Sequence, residues 1–384
     1  MTSSTDPRPA SAPAPPALGP GWRARVLAQQ QGALPSGEVV VSCPAPFGGG
    51  GLGRHLQEIV EALARLEQPH AYLCEGSPLD PLEARRAMSP AGALAPLAAP
   101  LARFSPPWSM WRASVRFDTW AARRLPPAEH LLAFSGNALA QLRLASRLGY
   151  GSRGLVSPTS HLRRVARQYA VARSRYPLER PWSQRLVQRS LREYAAADRI
   201  YVSTRHVWES FVAEGVAEEI LSLFPLTPDP RFGGAGPAPR GGTFDVIYVG
   251  SLSVAKGVPL LIDAVRRLAH SDVRLILLGG WASRGMRRFV QQACAADRRI
   301  TVSRGDPLPQ LRGAHLCVHP SYEDGFAYAP AEALACGVPV IVSEDTGMKE
   351  LIEPARTGVV VPTGDLDALS TAIDAAYRGE LFDA

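Results

Sequence analysis

Short apolar runs alternate with helix-like stretches along most of the chain. The runs lack the strict alternation of apolar and polar positions that marks a strand with one exposed face. They are typical of strands buried on both faces of a parallel sheet. Two series of runs are present. The first comprises Val39–Ser42, Ala71–Cys74, Leu131–Phe134, Leu155–Ser157 and Ile200–Ser203, and the second comprises Val246–Val249, Leu275–Leu278, Ile300–Val302, Leu316–His319, Val340–Val342 and Val359–Val361.

The two series predict an α/β protein with two doubly wound, Rossmann-like domains of parallel sheet that face each other across a cleft. A length of 384 residues exceeds what one hydrophobic core usually organises, which agrees with two domains. We expect a disordered Pro/Ala-rich tail over 1–21, an N-terminal domain over 22–232, a linker over 233–242 and a C-terminal domain over 243–384. Ligands of such sheets bind beyond the carboxyl ends of the strands.

Composition narrows the class of protein. Apolar residues make up 46% of the chain and charged residues 20%, which is ordinary for a globular protein. No run of about 18 apolar residues occurs without proline or charge, and the first twenty residues lack the apolar core of a signal peptide. The five cysteines show no CxxC or Cys/His spacing. We therefore expect reduced thiols, no metal site and a cytoplasmic protein.

The charge pattern singles out one lysine. The formal net charge of +7 suits an anionic ligand, and only two of the 42 basic residues, Lys256 and Lys349, are lysine. Lys256 follows the predicted strand Val246–Val249 and precedes Gly257, so it can place a compact charge on a diphosphate at the end of that strand. The alternative is an ordinary lysine of a surface loop.

A second candidate site begins at Asp324. Asp324-Gly325 is a turn signal, and the alanine-rich segment after it predicts a helix that ends at Gly337. The first amides of this helix, near Phe326 and Ala327, would lack intrahelical partners and suit phosphate or sugar oxygens.

Glu332 lies roughly two turns further along the predicted helix, where its carboxylate could accept the paired hydroxyls of a ribose. Taken alone, Asp324 and Glu332 would more often be a helix cap and a surface acid. Their order after the Lys256 segment favours a sugar-nucleotide site.

In this order the motifs resemble the C-terminal half of the retaining family-4 glycosyltransferases of GT-B fold. That family carries a G-x-L-x-x-x-K-G segment, matched by Gly250 to Gly257, and an E-x7-E motif, matched by Asp324 to Glu332. The similarity covers roughly residues 243 to 376. It implies that Lys256 binds the diphosphate, that Glu332 binds the ribose, and that Gly305 borders the base pocket. It also implies a donor site that includes Ser251, the transferred sugar being held by Asp324, Gly325, Phe326 and Ala327.

Two departures from the family pattern affect this site. Ser251 occupies a position where an arginine commonly assists the lysine. Asp324 replaces the usual first glutamate and is shorter by one methylene, so the neighbouring Glu323 is the alternative first acid.

The N-terminal half offers a glycine loop at Gly48–Gly53. Its glycines, Gly50 and Gly51 among them, let backbone amides approach a phosphate or sugar, and the family has a comparable loop. The same residues fit G-x-G-x-x-G, and Glu75 follows the next strand where a dinucleotide-binding acid belongs, which is the basis of an NAD-dependent alternative. Two prolines between strand and glycines weaken that alternative.

Three further features leave functional and structural interpretations open. His161 ends a segment that resembles a family segment placing a histidine in the cleft. The resemblance implies that His161 contacts the donor there as a catalytic residue. The alternative is a histidine with a structural role. The segment Arg163–Arg192 holds nine arginines and one acid, Glu179, and Arg103–Arg124 interleaves arginines with aromatic residues. The first segment suits a solvated helix face or contact with an anionic acceptor or lipid surface, and the second suits core packing or a membrane interface. Neither forms the continuous stripe expected for nucleic acid.

The resemblance implies a metal-independent, retaining, hexosyl-type glycosyltransferase that moves a sugar from a nucleoside-diphosphate sugar to an acceptor hydroxyl. The acceptor would be a glycan, a lipid-linked molecule or a small molecule, and no cofactor besides the nucleotide sugar is expected. Asp365-Leu366-Asp367 is interpreted as a helix cap and not as a metal-binding motif. Peripheral contact with the inner face of the membrane stays open. The alternatives are an NAD-dependent oxidoreductase and a catalytically weak, glycosyltransferase-like binding subunit.

Overall fold

The computed structural model describes residues 21–74, 106–233 and 242–381. The predicted tail lies almost entirely outside the described residues, as does most of the predicted linker, residues 234–241. The chain separates into two compact units. Among the described residues, those within Gly21–Val171 and Arg180–Thr227 form the N-terminal unit, and those within Ala172–Glu179 and from Pro228 onward form the C-terminal unit.

The N-terminal unit is built on a six-stranded sheet in the order β2-β1-β3-β4-β5-β6, and all its strand pairs are parallel. Every residue of β1 is buried, as expected for a strand covered on both faces. The pattern analysis found five of these strands and missed the short edge strand β6. The strands are β1 (Val39–Cys43), β2 (His70–Cys74), β3 (His130–Phe134), β4 (Ser152–Ser157), β5 (Arg199–Val202) and β6 (Leu221–Leu223).

Seven α-helices accompany this sheet in the described part of the chain. They are α1 (Trp22–Ala33), α2 (Gly50–Arg65), α3 (Pro106–Ala122), α4 (Leu139–Leu148), α5 (Leu162–Arg175), α6 (Gln184–Tyr194) and α7 (Arg205–Val212).

One buried side chain of these helices, that of His55 in α2, is chemically unusual. It is only 2% exposed, and neither ring nitrogen has a hydrogen-bond partner among the described residues. Its ring lies edge-on to Phe134, with 5.1 Å between centroids, and burial lowers its pKa from 6.5 to about 3.

The C-terminal unit contains a second parallel sheet in the order β12-β11-β10-β7-β8-β9. All six of its strands were predicted from the apolar runs. The predicted α/β architecture of two doubly wound parallel sheets is therefore confirmed. The strands are β7 (Phe244–Val249), β8 (Val273–Leu278), β9 (Ile300–Ser303), β10 (Leu316–His319), β11 (Val340–Ser343) and β12 (Gly358–Val361).

Helices of the C-terminal unit bury apolar faces against this sheet. Leu261 of one helix and Leu369 of another belong to the same buried cluster as Val246 of β7. Two residues from earlier in the chain, Ala172 and Tyr176, complete the cluster. The helices are α8 (Val258–Arg267), α9 (Arg284–Ala296), α10 (Pro307–Gly313), α11 (Tyr328–Ala335) and α12 (Leu366–Arg378).

None of the helices in the described ranges is both long and apolar enough to cross a membrane. All five cysteines carry free thiols, and four of them are buried.

Candidate active site

The second sheet changes winding direction between β7 and β10. From β7 the chain moves outward to β8 and β9, whereas from β10 it moves the other way to β11 and β12. Open α/β sheets bind ligands at such a switch point, beyond the carboxyl ends of the strands, and the loops that follow β7 and β10 both lie there. The first of these loops carries Lys256 and the second carries Asp324.

Backbone contacts fasten these two loops to each other. The carbonyl oxygen of Ala255 accepts hydrogen bonds from the Tyr322 amide, at 2.8 Å, and from Ser321 Oγ, at 3.2 Å. Gly257 has φ +68° and approaches so closely that a Cβ there would lie 1.9 Å from the carbonyl oxygen of Pro320. Only glycine combines this left-handed backbone with such an approach. The packing explains why glycine follows the lysine.

Lys256 and Asp324 are joined directly, although they are 68 positions apart in sequence. Lys256 Nζ lies 2.7 Å from Asp324 Oδ2 and donates a second hydrogen bond, at 3.2 Å, to the backbone oxygen of Glu323. The lysine and aspartate side chains are 27% and 18% exposed. Asp324 thus offers its carboxylate to the lysine, while Glu323 meets it through the main chain.

His319 is a third member of this cluster, and the sequence analysis missed it. Its Nε2 lies 2.9 Å from Asp324 Oδ2, and its buried ring stacks on Tyr248 with 5.9 Å between centroids. The Tyr248 hydroxyl donates to the carbonyl oxygen of Ser251 at 2.8 Å. His319 ends β10, so its position at the carboxyl end of a central strand was the signal that could have revealed it.

The electrostatics of the cluster favour an ionised aspartate. Burial alone raises the pKa of Asp324, but the Lys256 ammonium and the hydrogen bonds from His319 and Lys256 outweigh it and hold the pKa well below its ordinary value. Both donors bind Oδ2, and among the described residues none donates to Oδ1. That oxygen can accept a hydrogen bond from a ligand hydroxyl.

Helix α11 begins at Tyr328, three residues after Gly325 of the predicted turn, so Phe326 precedes the helix and Ala327 is its N-cap. The helix ends before Gly337, whose φ is +78°, as the sequence indicated. Ala327, at its N-cap, adopts φ +63° and ψ +85°, a left-handed conformation that costs a non-glycine residue free energy. Phe326 is buried and packs edge-on against Tyr328. Strained backbone of this kind is concentrated at functional sites.

The remaining predicted donor residues also lie in the C-terminal unit. Glu332 lies in α11 and is 5% exposed, so it is not the solvated surface acid of the alternative interpretation. Ser251 is exposed in the loop after β7, and Gly305 is exposed after β9 with φ +124°. Their roles in binding a donor stay predictions.

The glycine loop lies in the N-terminal unit, between β1 and α2. Gly50 and Gly51 are exposed at the first turn of α2. Gly49 donates to the carbonyl oxygen of Pro46 at 3.0 Å, and a Cβ at Gly53 would lie 2.0 Å from that same oxygen. The glycines therefore accommodate the proline-containing connection. Glu75, the acid of the NAD-dependent alternative, lies outside the described residues.

His161 lies in the N-terminal unit and is 2% exposed. Its ring packs against Tyr194, at 4.8 Å, and edge-on to Phe211, at 5.2 Å. Burial lowers its pKa to about 4, so the ring is neutral near pH 7. These contacts are those of a packed histidine, and its predicted contact with a donor stays a prediction.

In the described ranges no three His, Cys, Asp or Glu side chains form a group that could hold a metal ion. The Asp365-Leu366-Asp367 segment is a helix cap, as predicted. Asp365 Oδ1 accepts hydrogen bonds from the amides of Asp367 and Ala368, both at 2.9 Å, at the start of α12.

Comparison with protein families places a match in the C-terminal half. Residues 243–378 match the model described as "Glycosyl transferases group 1". A D-inositol 3-phosphate glycosyltransferase of Pseudarthrobacter chlorophenolicus is 30% identical over 148 residues, which is 35% of each chain. The O-antigen chain mannosyltransferase B of Escherichia coli is 30% identical over 135 residues, 33% of this chain and 35% of that protein. The chain thus matches about a third of the length of these relatives.

Solved structures resemble the chain over most of its length. The sucrose-phosphate synthase of Thermosynechococcus elongatus superposes with a TM-score of 0.67 at 19% identity, covering 90% of this chain and 91% of that one. The Anabaena protein HepE, solved in complex with UDP and glucose, gives a TM-score of 0.58 at 17% identity, covering 90% and 93%. At such identities the likeness establishes a shared fold.

Proposed function

We propose, from the match of residues 243–378 to the glycosyl transferases group 1 model, that the chain is a glycosyltransferase. The donor is a nucleoside-diphosphate sugar, the acceptor is a hydroxyl group, and the anomeric configuration is retained. The transferred sugar is a hexose. The reaction uses no metal ion and no cofactor besides the donor.

The contact between Lys256 and Asp324 carries this proposal. It joins the two motifs at the switch point of the second sheet, so that a cation, an ionised carboxylate and the start of α11 meet in one place. A diphosphate needs the cation, and sugar hydroxyls need the acceptor oxygen. The arrangement therefore suits a ligand that carries both groups.

The chemistry follows from these charges. When the bond between sugar and diphosphate breaks, negative charge develops on the leaving phosphate oxygen. The Lys256 ammonium and the backbone amides before α11 stabilise that charge, and Asp324 Oδ1 orients a sugar hydroxyl. Glu332 holds the ribose. The protein thus acts through fixed charges and dipoles.

The binding partners proposed for this chain are the nucleotide sugar and an acceptor that is a glycan, a lipid-linked molecule or a small molecule. UDP-sugars are the first donors to test, because the HepE structure contains UDP. Contact with an anionic membrane surface stays a prediction.

The proposal is tested by measuring nucleoside diphosphate release from UDP-, GDP- and ADP-hexoses with wild type, Lys256→Ala and Glu332→Ala. We expect release with at least one donor and a loss of at least about a hundredfold in each variant, the size typical of removing a group that stabilises developing charge or positions substrate. Lys349→Ala is the matched control, because this second lysine binds the backbone oxygen of Glu344 on the protein surface.

Full activity in both site variants would overturn the assignment of this site. Binding of the donors without turnover would instead identify a binding subunit, and binding of NAD with no nucleotide sugar bound would favour the oxidoreductase.

A further inference from the structure

The segment Ala172–Glu179 belongs to the C-terminal unit, although in sequence it lies between two parts of the N-terminal unit. It is held by both packing and hydrogen bonds. Tyr176 lies in the buried cluster of the second sheet, and its hydroxyl donates to Asp263 Oδ2 at 2.6 Å. Arg175 Nη1 donates to the carbonyl oxygen of Gly364 at 3.1 Å. The segment is thus a fixed part of this unit.

The end of the segment approaches α9 closely. The carbonyl oxygen of Leu178 accepts a hydrogen bond from Ser283 Oγ at 3.3 Å, and a Cβ on Gly285 would lie 2.1 Å from that oxygen. The backbone oxygen of Glu179 accepts from Arg173 Nε at 2.7 Å. These contacts fix the main chain at Leu178 and Glu179, from which the Glu179 side chain extends.

Glu179 reaches the loop that carries Lys256. Its Oε1 accepts a hydrogen bond from the amide of Val254 at 3.0 Å. Val254 is fully buried and lies two residues before Lys256. A buried amide without a partner costs free energy, and a carboxylate is a stronger acceptor than a neutral group. Glu179 therefore stabilises one conformation of this loop.

The other contacts of the loop show what Glu179 adds. Leu252 donates to the carbonyl oxygen of Gly280 at 2.7 Å, which fixes the start of the loop, and Ala255 is held by Ser321 and Tyr322, which fixes its end. Val254 lies between these points. Without Glu179 the middle of the loop would have one amide to satisfy by rearrangement or by water.

We propose that Glu179 is a positioning residue for the donor diphosphate. It acts through the Val254 amide to hold the Ser251–Lys256 loop in the conformation that binds the diphosphate. This inference rests on the proposed function, because it assumes that Lys256 meets that group. It also gives a role to the single acid of the arginine-rich segment Arg163–Arg192, which the site itself does not use.

The charge of Glu179 and its hydrogen bond predict opposite effects on the affinity for a diphosphate. A carboxylate close to the diphosphate repels it, so a purely electrostatic role predicts tighter binding when the charge is removed. A positioning role predicts weaker binding when the acceptor is removed, whatever the charge. Three substitutions separate these roles. Glu179→Gln keeps an acceptor oxygen without the charge, Glu179→Asp keeps the charge but is too short to reach Val254, and Glu179→Ala removes both.

The experiment measures binding of UDP, GDP and ADP to the full chain by titration calorimetry. We expect the wild type to bind at least one of them. Glu179→Ala and Glu179→Asp should bind it about tenfold more weakly, the size of one lost hydrogen bond to a charged group, whereas Glu179→Gln should stay within about threefold of wild type. Tyr176→Phe is the matched control, because it removes a hydrogen bond of the same segment without touching Val254.

Hydrogen exchange of the peptide that contains Val254 gives a second readout. Exchange should be faster in the Ala and Asp variants and near wild type in the Gln variant. If Glu179→Ala does not fold, the Asp and Gln variants decide the question by the same criteria.

Three outcomes would overturn the inference. Unchanged or tighter binding in the Asp variant, or an equal loss in the Gln and Asp variants, would do so while the proposed function stands. A wild type that binds none of the nucleotides would overturn the inference together with the proposed function.

Discussion

At the scale of single residues, the candidate site depends on a few side chains whose charge is set by their neighbours. Asp324 is kept ionised by Lys256 and His319 against the effect of burial. His55 shows the opposite case, since it has no charged or hydrogen-bonding partner among the described residues and burial alone lowers its pKa to about 3. Burial thus decides the charge of His55, which is neutral, whereas charged partners outweigh burial at Asp324, which is ionised.

His55 should make the protein sensitive to acid. The folded-state pKa is about 3 and the reference pKa is 6.5, so the unfolded chain takes up a proton between those values while the folded protein does not. The free energy of unfolding therefore falls as the pH drops from 6.5 towards 3. At pH 5 the loss relative to pH 8 is about 2 kcal/mol.

His55→Phe should remove this loss, because phenylalanine does not titrate and its ring suits a site next to Phe134. The measurement is thermal unfolding of wild type and variant at pH 8 and pH 5. The variant should gain stability relative to wild type on acidification. Parallel profiles would show that His55 does not govern the acid response.

At the scale of elements, the apolar runs predicted the sheets well because a parallel strand buried on both faces leaves a continuous apolar signature. The strand β6 was missed for a physical reason. Leu221–Leu223 is only three residues long, has a serine at its centre, and follows the acidic residues Glu218 and Glu219. Its pairing with β5 depends on tertiary structure and not on a local pattern.

Sheet topology also explains why part of the candidate site, the pair Lys256 and Asp324, could be predicted from the sequence and Glu179 could not. Lys256 and Asp324 follow strands that are neighbours in the sheet, so topology alone brings them together. Glu179 follows no strand and carries no motif. Its contact with Val254 depends on how the segment Ala172–Glu179 packs, which a single sequence does not reveal.

The loop after β7 allows a test at the scale of elements. Ser251 is exposed, and the glycosyltransferases that the C-terminal half resembles commonly have an arginine at this position, so Ser251→Arg should add a second cation next to Lys256. We expect nucleoside diphosphate affinity to rise about fivefold at low salt, corresponding to about 1 kcal/mol for a charge pair in a well-solvated site. Calorimetric titration with the diphosphate that the wild type binds provides the measurement.

Ser251→Gln is the control, because it adds length without charge. The gain should shrink as the ionic strength rises, since salt screens an exposed pair. An equal gain in the glutamine variant, or a gain that does not depend on salt, would argue against an electrostatic role at this position.

At the scale of the whole molecule, the C-terminal unit is discontinuous in sequence. Its core contains Ala172 and Tyr176 in addition to side chains of β7 to β12. A cut of the chain at the predicted linker, residues 233–242, would leave Ala172 and Tyr176 on one fragment and the rest of this core on the other. The two units are therefore structural divisions of one chain and not two consecutive segments.

Tyr176→Ala should destabilise the C-terminal unit selectively. The ring is buried in the core of that unit, so its loss costs about 3 to 5 kcal/mol, the range for removing a buried aromatic side chain. Hydrogen exchange of the full chain should show faster exchange in β7 to β12 and unchanged exchange in β1 to β6. Leu148→Ala, at an exposed position of the N-terminal unit, is the control.

Uniformly faster exchange in both sheets would contradict this prediction, because it would mean that the substitution acts on the whole chain.

The discontinuous core also has a consequence for synthesis on the ribosome. Glu179 leaves the ribosome about 100 residues before Gly285, next to which its segment packs. At typical rates of about 5 to 20 residues per second, roughly 5 to 20 seconds pass before Gly285 has been made, and the rest of the core that buries the Tyr176 ring follows later still. A nascent chain that has grown only as far as the end of β6 therefore displays an apolar segment with nowhere to dock, and this is the stage at which a chaperone would find it.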